Sequence, residues 1–192
     1  MRPVLVVMLK LPQVGRVKTR LGADIGIVQA TWWFRHQTKR LLQRLGTDPR
    51  WETVLAVAPD VAGMQASLWG AELARIPQGH GDLGARMGRV FQNFRTSPTL
   101  IIGADIPGIS RSHTANAFQR LGAHDAVLGP APDGGYWAIG LRQGATPPPS
   151  TLFQNVRWSS AHTMQDTINS IGGRRIAFLP ELRDVDRAKD LP

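Results

Sequence analysis

A chain of 192 residues, 42% hydrophobic and 19% charged, has the make-up of one globular domain spanning 1–192; this excludes extensive disorder and two large domains. It has no cysteine, which excludes a disulfide framework, a thiolate nucleophile and a cysteine-ligated metal. Lys and Arg outnumber Asp and Glu by 23 to 14, a formal charge of +9 that favours anionic partners: phosphates, nucleotides, nucleic acid or an anionic membrane surface.

The apolar run Val4-Leu5-Val6-Val7-Met8-Leu9 is too short for a membrane span. Lys10-Leu11-Pro12 stands where a signal peptide would need a small-residue cleavage site, so the run reads as a first strand buried on both faces and the location as cytoplasmic. After a Gly/Lys/Arg loop, helical spacing extends from about Asp24 to Leu45, with Ile27, Ala30, Phe34, Leu41 and Leu45 on one face and Gly46 as its stop. Residues 53–58 form the second strand, ended by Pro59-Asp60; a short helix and a short strand near 72–76 follow. Asp82 caps a helix carrying Leu83, Met87, Val90, Phe91 and Phe94. Residues 99–103 are another buried strand, and Ser110 or Ser112 caps a helix to about Leu121. Strands at 125–128 and 136–140 bracket a Gly/Pro loop, and residues 144–150 read as a linker or lid. Ser159-Ser160 caps a helix to about Ile171, with a strand near 175–179 and an Asp-rich turn after it.

Alternating strands and helices predict an α/β domain: a mostly parallel sheet with helices on both faces. Ligands of such sheets bind outside the carboxyl ends of the strands, where three polar loops fall together. After the first strand, Lys10 to Arg20 places four cations around Gly15, which lets the backbone approach a ligand closely. Lys18 offers a point charge and Arg20 a planar fork for phosphate oxygens. The spacing is not that of a Walker loop. Asp105, in Gly103-Ala104-Asp105-Ile106-Pro107, is a carboxylate suited to Mg²⁺. Asp133-Gly134-Gly135-Tyr136-Trp137 combines a flexible turn with rings able to stack on a sugar or base; it reads equally as a plain hairpin. Late in the chain, alternation in Asp184-Val185-Asp186 sends both carboxylates to one side, from which one of them can meet Asp105. Gln78-Gly79-His80-Gly81-Asp82 is a further glycine-rich loop opening a helix. No nucleophile elbow, zinc motif or dinucleotide fingerprint is present.

The blocks KLPQVGRVKTRL (10–21), GDLGARM (81–87), GADIPG (103–108), GPAPDGGYW (129–137), LFQNVRWS (152–159) and RDVDRAKDL (183–191) occur in that order. Together they resemble a bacterial family of glycosyltransferase-like proteins associated with radical-SAM/selenium-domain proteins, over essentially the whole chain. The resemblance implies the three-layer, Rossmann-like GT-A fold of the nucleotide-diphospho-sugar transferases. That superfamily also holds molybdenum-cofactor nucleotidyltransferases, phospholactate guanylyltransferase and sugar-nucleotide synthetases. By this resemblance Lys18 and Arg20 hold a nucleotide's phosphates; from the glycine-bearing loops Lys10, Gly15 and Gln78 join the expected nucleotide-binding set. By the same resemblance Asp105 and Asp186 hold Mg²⁺ or Mn²⁺; the turn at Asp133, Gly134, Gly135 and Tyr136 is the expected substrate contact, and Lys18, Arg20 and Asp105 are the expected catalytic groups. Two departures stand out: Arg187-Ala188-Lys189 replaces the nucleotidyltransferases' Thr-Pro-Glu, and Asp105 lacks the D-x-D partner of metal-dependent glycosyltransferases. The expected activity is nucleotidyl or glycosyl transfer from a nucleoside triphosphate or nucleotide sugar to an unidentified acceptor, with no nucleic-acid partner and no membrane span. The alternatives are a basic nucleic-acid-binding module and an inactive nucleotide sensor.

Overall fold

A computed structural model describes residues 2–70, 72–144 and 147–192. Its elements in chain order are β1 (Val4–Lys10), α1 (Thr19–Ile25), α2 (Ile27–Leu45), β2 (Glu52–Ala58), α3 (Asp60–Gln65), β3 (Ala74–Pro77) and α4 (Leu83–Asn93). They continue as β4 (Thr99–Gly103), α5 (Arg111–Leu121), β5 (Ala126–Pro130), β6 (Tyr136–Leu141), α6 (Thr163–Ile171) and β7 (Ile176–Phe178), with a 3₁₀ turn at Ala188–Asp190.

The strands form one sheet in the order β3-β2-β1-β4-β6-β5-β7. Pairing is parallel except on the two sides of β6, which runs against β4 and β5. Alternation along β1 builds two cores. Leu5, Val7 and Leu9 join Leu41 and Leu45 of α2 and Leu121 of α5 on one face. Val4 and Val6 join Met87, Val90 and Phe91 of α4 and Ile171 of α6 on the other. The result is the expected three-layer sandwich, and β1 lies between β2 and β4 with its carboxyl end at the middle of the sheet edge.

Four local expectations change. The stretch 24–45 is two helices, because Gly26 breaks it at φ 98° while closing α1 and opening α2. The expected apolar face holds for Ala30, Phe34, Leu41 and Leu45, but Ile27 is 53% exposed at the first position of α2. Leu83 likewise opens α4 with its side chain 44% exposed. The last helix starts at Thr163 rather than after Ser159-Ser160: Ser159 adopts a left-handed φ of 56°, and Ser160 and Thr163 Oγ donate to Arg157 O instead. Asp82 does cap α4, accepting from Ala85 N at 2.8 Å, and Ser110 caps α5. Of the expected linker 144–150, residues 145 and 146 lie outside the described residues. Among those described, no helix is long and apolar enough to cross a membrane.

Candidate active site

The loop after β1 is set by its anchors. Leu11 N donates to Ala58 O at 2.7 Å, Arg16 N to Gln13 O at 3.0 Å, and Val17 is buried in the core. Gly15 takes φ 72°, a conformation open to glycine at no steric cost. Lys18 caps α1 in the left-handed region, φ 47° and ψ 47°, where a residue with a Cβ costs about 1–2 kcal/mol. That conformation turns its side chain inward, leaving it 7% exposed. Lys18 Nζ stands 2.6 Å from Asp105 Oδ2 and 3.0 Å from Asp186 Oδ1, while Arg20 reaches Asp186 Oδ2 at 2.9 Å.

Each carboxylate is placed by its own segment. Asp105 follows β4; buried Ala104 and Ile106 flank it, and Val185 N donates to its carbonyl. A side chain at Gly103 would meet Asp105 Oδ1 at 3.0 Å, so glycine leaves room for that carboxylate. Val185 is buried against Leu21 and Ala30, which sends Asp184 and Asp186 to the opposite side, toward the cleft, as alternation predicted. Burial weighs against the Lys18 ammonium, but Asp105 and then Asp186 outweigh it and hold its pKa above the usual value. Burial also disfavours the Asp186 carboxylate, yet Lys18 and Arg20 keep its pKa below the usual value. Among the described residues Asp184 has no ion pair of its own. Desolvation, with Asp105 and Asp186 beside it, raises it from 3.8 to about 6.

The sign of that shift gives a test. A carboxyl held protonated in the folded state adds stability below pH 3.8, and this is lost as pH rises through about 6. Asp184→Asn should therefore flatten the fall in Tm between pH 4 and 7 and leave the variant more stable than the parent at pH 7.5. Parallel Tm–pH curves for the two proteins would refute the assignment.

Along the carboxyl edge of the sheet lie three neighbouring chambers that share lining residues. The outer chamber, about 830 Å³, is lined by Lys10, Arg16, Arg86, His80 and Asp60 among others. The middle, about 600 Å³, shares Lys10 and Arg16 with it and adds Lys18, Arg20 and the three aspartates Asp105, Asp184 and Asp186. The inner, about 230 Å³, shares Asp105 and Asp184 with the middle and adds Asp133, Gly135, Tyr136 and Trp158. Charge changes along the edge, from cationic outside, through mixed, to carboxylate-rich within.

Lys10, Lys18, Arg20, Gln78, Asp105 and Asp186 thus all line one space, the middle chamber, while the other expected site residues occupy different positions. Gln78 is buried, and its amide donates to Leu9 O at 3.1 Å and Ala56 O at 2.8 Å, clamping two strand ends; its carbonyl takes Arg86 at 3.2 Å. Gly15 shapes the basic loop and does not line the cleft. Gly134, at φ 84° in the turn between β5 and β6, packs its bare Cα against Ala161 ahead of α6; a Cβ would meet the Ala161 backbone at 2.4 Å. Asp133 and Gly135 do line the inner chamber, with Gly135 N donating to Asp133 Oδ1 at 2.9 Å. Tyr136 lines it too, while its hydroxyl lies 3.4 Å from Thr167 Oγ1. Trp137 also borders the inner chamber, but it is 3% exposed, packs in the core and donates to Pro180 O.

Sequence reasoning passed over Arg16, Arg86 and Trp158 as individual residues. Arg86 lies four residues past the Asp82 cap, and Trp158 sits inside the recognisable block 152–159, but neither has a local signal for facing a cleft. Among the described residues no group of three His, Cys, Asp or Glu side chains is placed to hold a metal ion; the Lys18 ammonium stands between Asp105 and Asp186.

A mostly parallel α/β sheet with its cleft at the carboxyl ends of the strands is a widespread ligand-binding architecture, and comparison narrows it. A protein of Desulfovibrio desulfuricans G20, provisionally named a nucleotide-diphospho-sugar transferase, superposes with a TM-score of 0.86 at 29% identity, covering 97% of this chain and 84% of its own. The fold is thus that of the nucleotide-diphospho-sugar transferases. CMP:2-keto-3-deoxy-manno-octonic acid synthetase complexed with CTP gives 0.55 at 12% identity over 98% of this chain and 95% of its own. The manganese complex of Rv0371C from Mycobacterium tuberculosis H37Rv gives 0.52 at 15% over 98% and 95%. These two show the fold alone. The chain belongs to the bacterial family DUF2064, described as an uncharacterized protein conserved in bacteria, whose model matches residues 41–160. No curated protein matches it.

Proposed function

We propose that this protein is a transferase acting on a nucleotide-activated donor, with Mg²⁺ or Mn²⁺ as its cofactor. The observation that carries the reading is the convergence of Lys18, Arg20, Asp105 and Asp186 within 3.0 Å contacts at the end of β1. The names of the solved neighbours, a transferase and a CTP-bound synthetase, support the same reading.

The chemistry of the carboxylates Asp105, Asp184 and Asp186, which all line the middle chamber, suits a hard divalent cation, once the Lys18 ammonium that bridges Asp105 and Asp186 moves to a donor phosphate. Asp105 and Asp186 would hold it, and when bound it supplies neutralisation of phosphate charge. The protein's own groups do the rest. Lys18 and Arg20 bind the donor's phosphates and stabilise the charge that develops on the leaving phosphate. The basic outer chamber takes the remainder of the nucleotide, and the acceptor enters from the inner side. Positioning the two substrates across Asp105 converts their encounter into an intramolecular step. The bond between the transferred group and the donor phosphate breaks as the acceptor oxygen bonds to that group, and the acceptor's proton passes to a carboxylate or water. Clustering of the cations at strand ends, rather than along a surface stripe, favours this reading over a nucleic-acid-binding module.

A thermal-shift screen of nucleoside triphosphates and nucleotide sugars, each with and without Mg²⁺ or Mn²⁺, tests the reading. Ligands of the native state raise Tm with occupancy. A metal-dependent rise is expected for one nucleotide class; no rise with any nucleotide would overturn the reading.

A further inference from the structure

The three chambers differ in charge, and the innermost is the informative one. Its lining carries three carboxylates, those of Asp105, Asp133 and Asp184, and no Lys, Arg or His. Asp105 and Asp184 also face the middle chamber, but Asp133 belongs to the inner one alone.

Helix ends near this chamber do not reverse that balance. The first amides of α6 are already engaged: His162 N donates to Ser160 Oγ at 3.2 Å, Thr163 N to Ser160 O at 3.1 Å and Met164 N to Gly134 O at 2.9 Å. At the start of α4, the Asp82 carboxylate takes Ala85 N. The nearest guanidinium in sequence, Arg157, forms paired bonds of 2.8 and 2.9 Å to Asp166.

Resting on the transferase reading above, we infer that the inner chamber is the acceptor subsite and that it takes a small, non-anionic hydroxyl compound such as a sugar or polyol. A phosphate or carboxylate group there would face three aspartates against one cation, the Lys18 ammonium 2.6 Å from Asp105 on the middle-chamber side. Hydroxyls, in contrast, donate to carboxylates, and the apolar C–H face of a sugar packs on the rings of Tyr136 and Trp158. The volume of about 230 Å³ is below the roughly 300–1,000 Å³ of pockets that enclose drug-sized ligands. The chamber by itself thus has room for a single ring or a short polyol. Specificity follows from what the chamber repels: the same carboxylates that accept hydroxyl protons exclude the phosphorylated form of the same molecule.

The test titrates mannose, mannitol and glycerol against mannose 6-phosphate and glycerol 3-phosphate by saturation-transfer NMR. It uses both the free protein and protein loaded with a nucleoside diphosphate and Mn²⁺-free Mg²⁺ buffer. At least one uncharged compound should bind, at least tenfold more tightly than its phosphate ester. Trp158→Ala should weaken that binding without changing nucleotide affinity, and Asp133→Lys should narrow or invert the preference. Equal or tighter binding of the phosphate esters, or no binding of any uncharged compound to either form, overturns the inference. Loss of nucleotide binding in the loaded arm would instead strike the transferase reading, while the free-protein arm still reports the chamber's preference.

Discussion

Replacing Asp105 by Ala is expected to lower turnover by about 10²–10³-fold, the size of effect seen when one preorganised electrostatic contact to a transition state is removed. Asp105 sits where the middle and inner chambers meet, and it is the carboxylate closest to the Lys18 ammonium, at 2.6 Å. Its position is fixed through the backbone, by buried Ala104 and Ile106 and by the bond from Val185 N to its carbonyl. Truncating the side chain therefore leaves its anchors in place. Far-UV circular dichroism should be unchanged, and nucleotide binding in the absence of metal should fall little. Once a donor–acceptor pair has been found, single-turnover kinetics of the two proteins check the loss. Undiminished turnover would remove Asp105 from the reacting centre.

The double variant Lys18→Ala/Arg20→Ala is expected to lose about 10²–10⁴-fold in nucleotide affinity, from two charge-assisted contacts of roughly 1.5–3 kcal/mol each. Removing Lys18 also leaves Asp105 and Asp186 facing each other without the ammonium that now bridges them. The Asp186 pKa is held below its ordinary value, against the cost of burial, first by Lys18 and then by Arg20. A depressed carboxylate pKa contributes stability above the unfolded value and loses it as pH falls. The variant, lacking that contribution, should have a lower Tm than the parent at pH 7, and the two should converge below about pH 4. Calorimetric titration and Tm–pH curves separate the two effects. Unchanged nucleotide affinity would sink the phosphate-gripping role even if the stability change appeared.

The parts of this arrangement that were legible in the sequence are those set by local pattern. An apolar run followed by glycine and cations marked β1 and its loop; a strand ending in Gly-Ala-Asp marked Asp105; alternation around Val185 put Asp184 and Asp186 on one side. What the pattern did not contain was long-range pairing. Lys18 and Asp186 are 168 residues apart, and spacing alone does not say which of two neighbouring aspartates meets the ammonium. Nor does it show that Asp184, which has no ion pair of its own among the described residues, becomes the carboxyl with the raised pKa. Gln78 was legible as part of a polar loop but not as a clamp, because its partners are the carbonyls of Leu9 and Ala56 on two other strands. Gly134 illustrates the same limit: its need for a missing Cβ comes from Ala161, in the segment that leads into α6, not from a ligand. The break at Gly26 was within reach, since a glycine midway in a helical stretch carries a propensity penalty of about 1 kcal/mol, but the flanking pattern continued the helix through it.

The division of the cleft by charge ties the two strongest expected losses to one picture. Cations gather where a nucleotide's phosphates would lie, carboxylates gather where a metal and an uncharged acceptor would meet, and Lys18 belongs to both sets. The most direct measurement is an anomalous difference map from crystals grown with Mn²⁺ and a nucleoside diphosphate. The account predicts a manganese peak at Asp105 and Asp186, with the diphosphate against Lys18 and Arg20 and the base toward Lys10 and Arg86. A nucleotide seated elsewhere, or a manganese peak away from both aspartates, would contradict it.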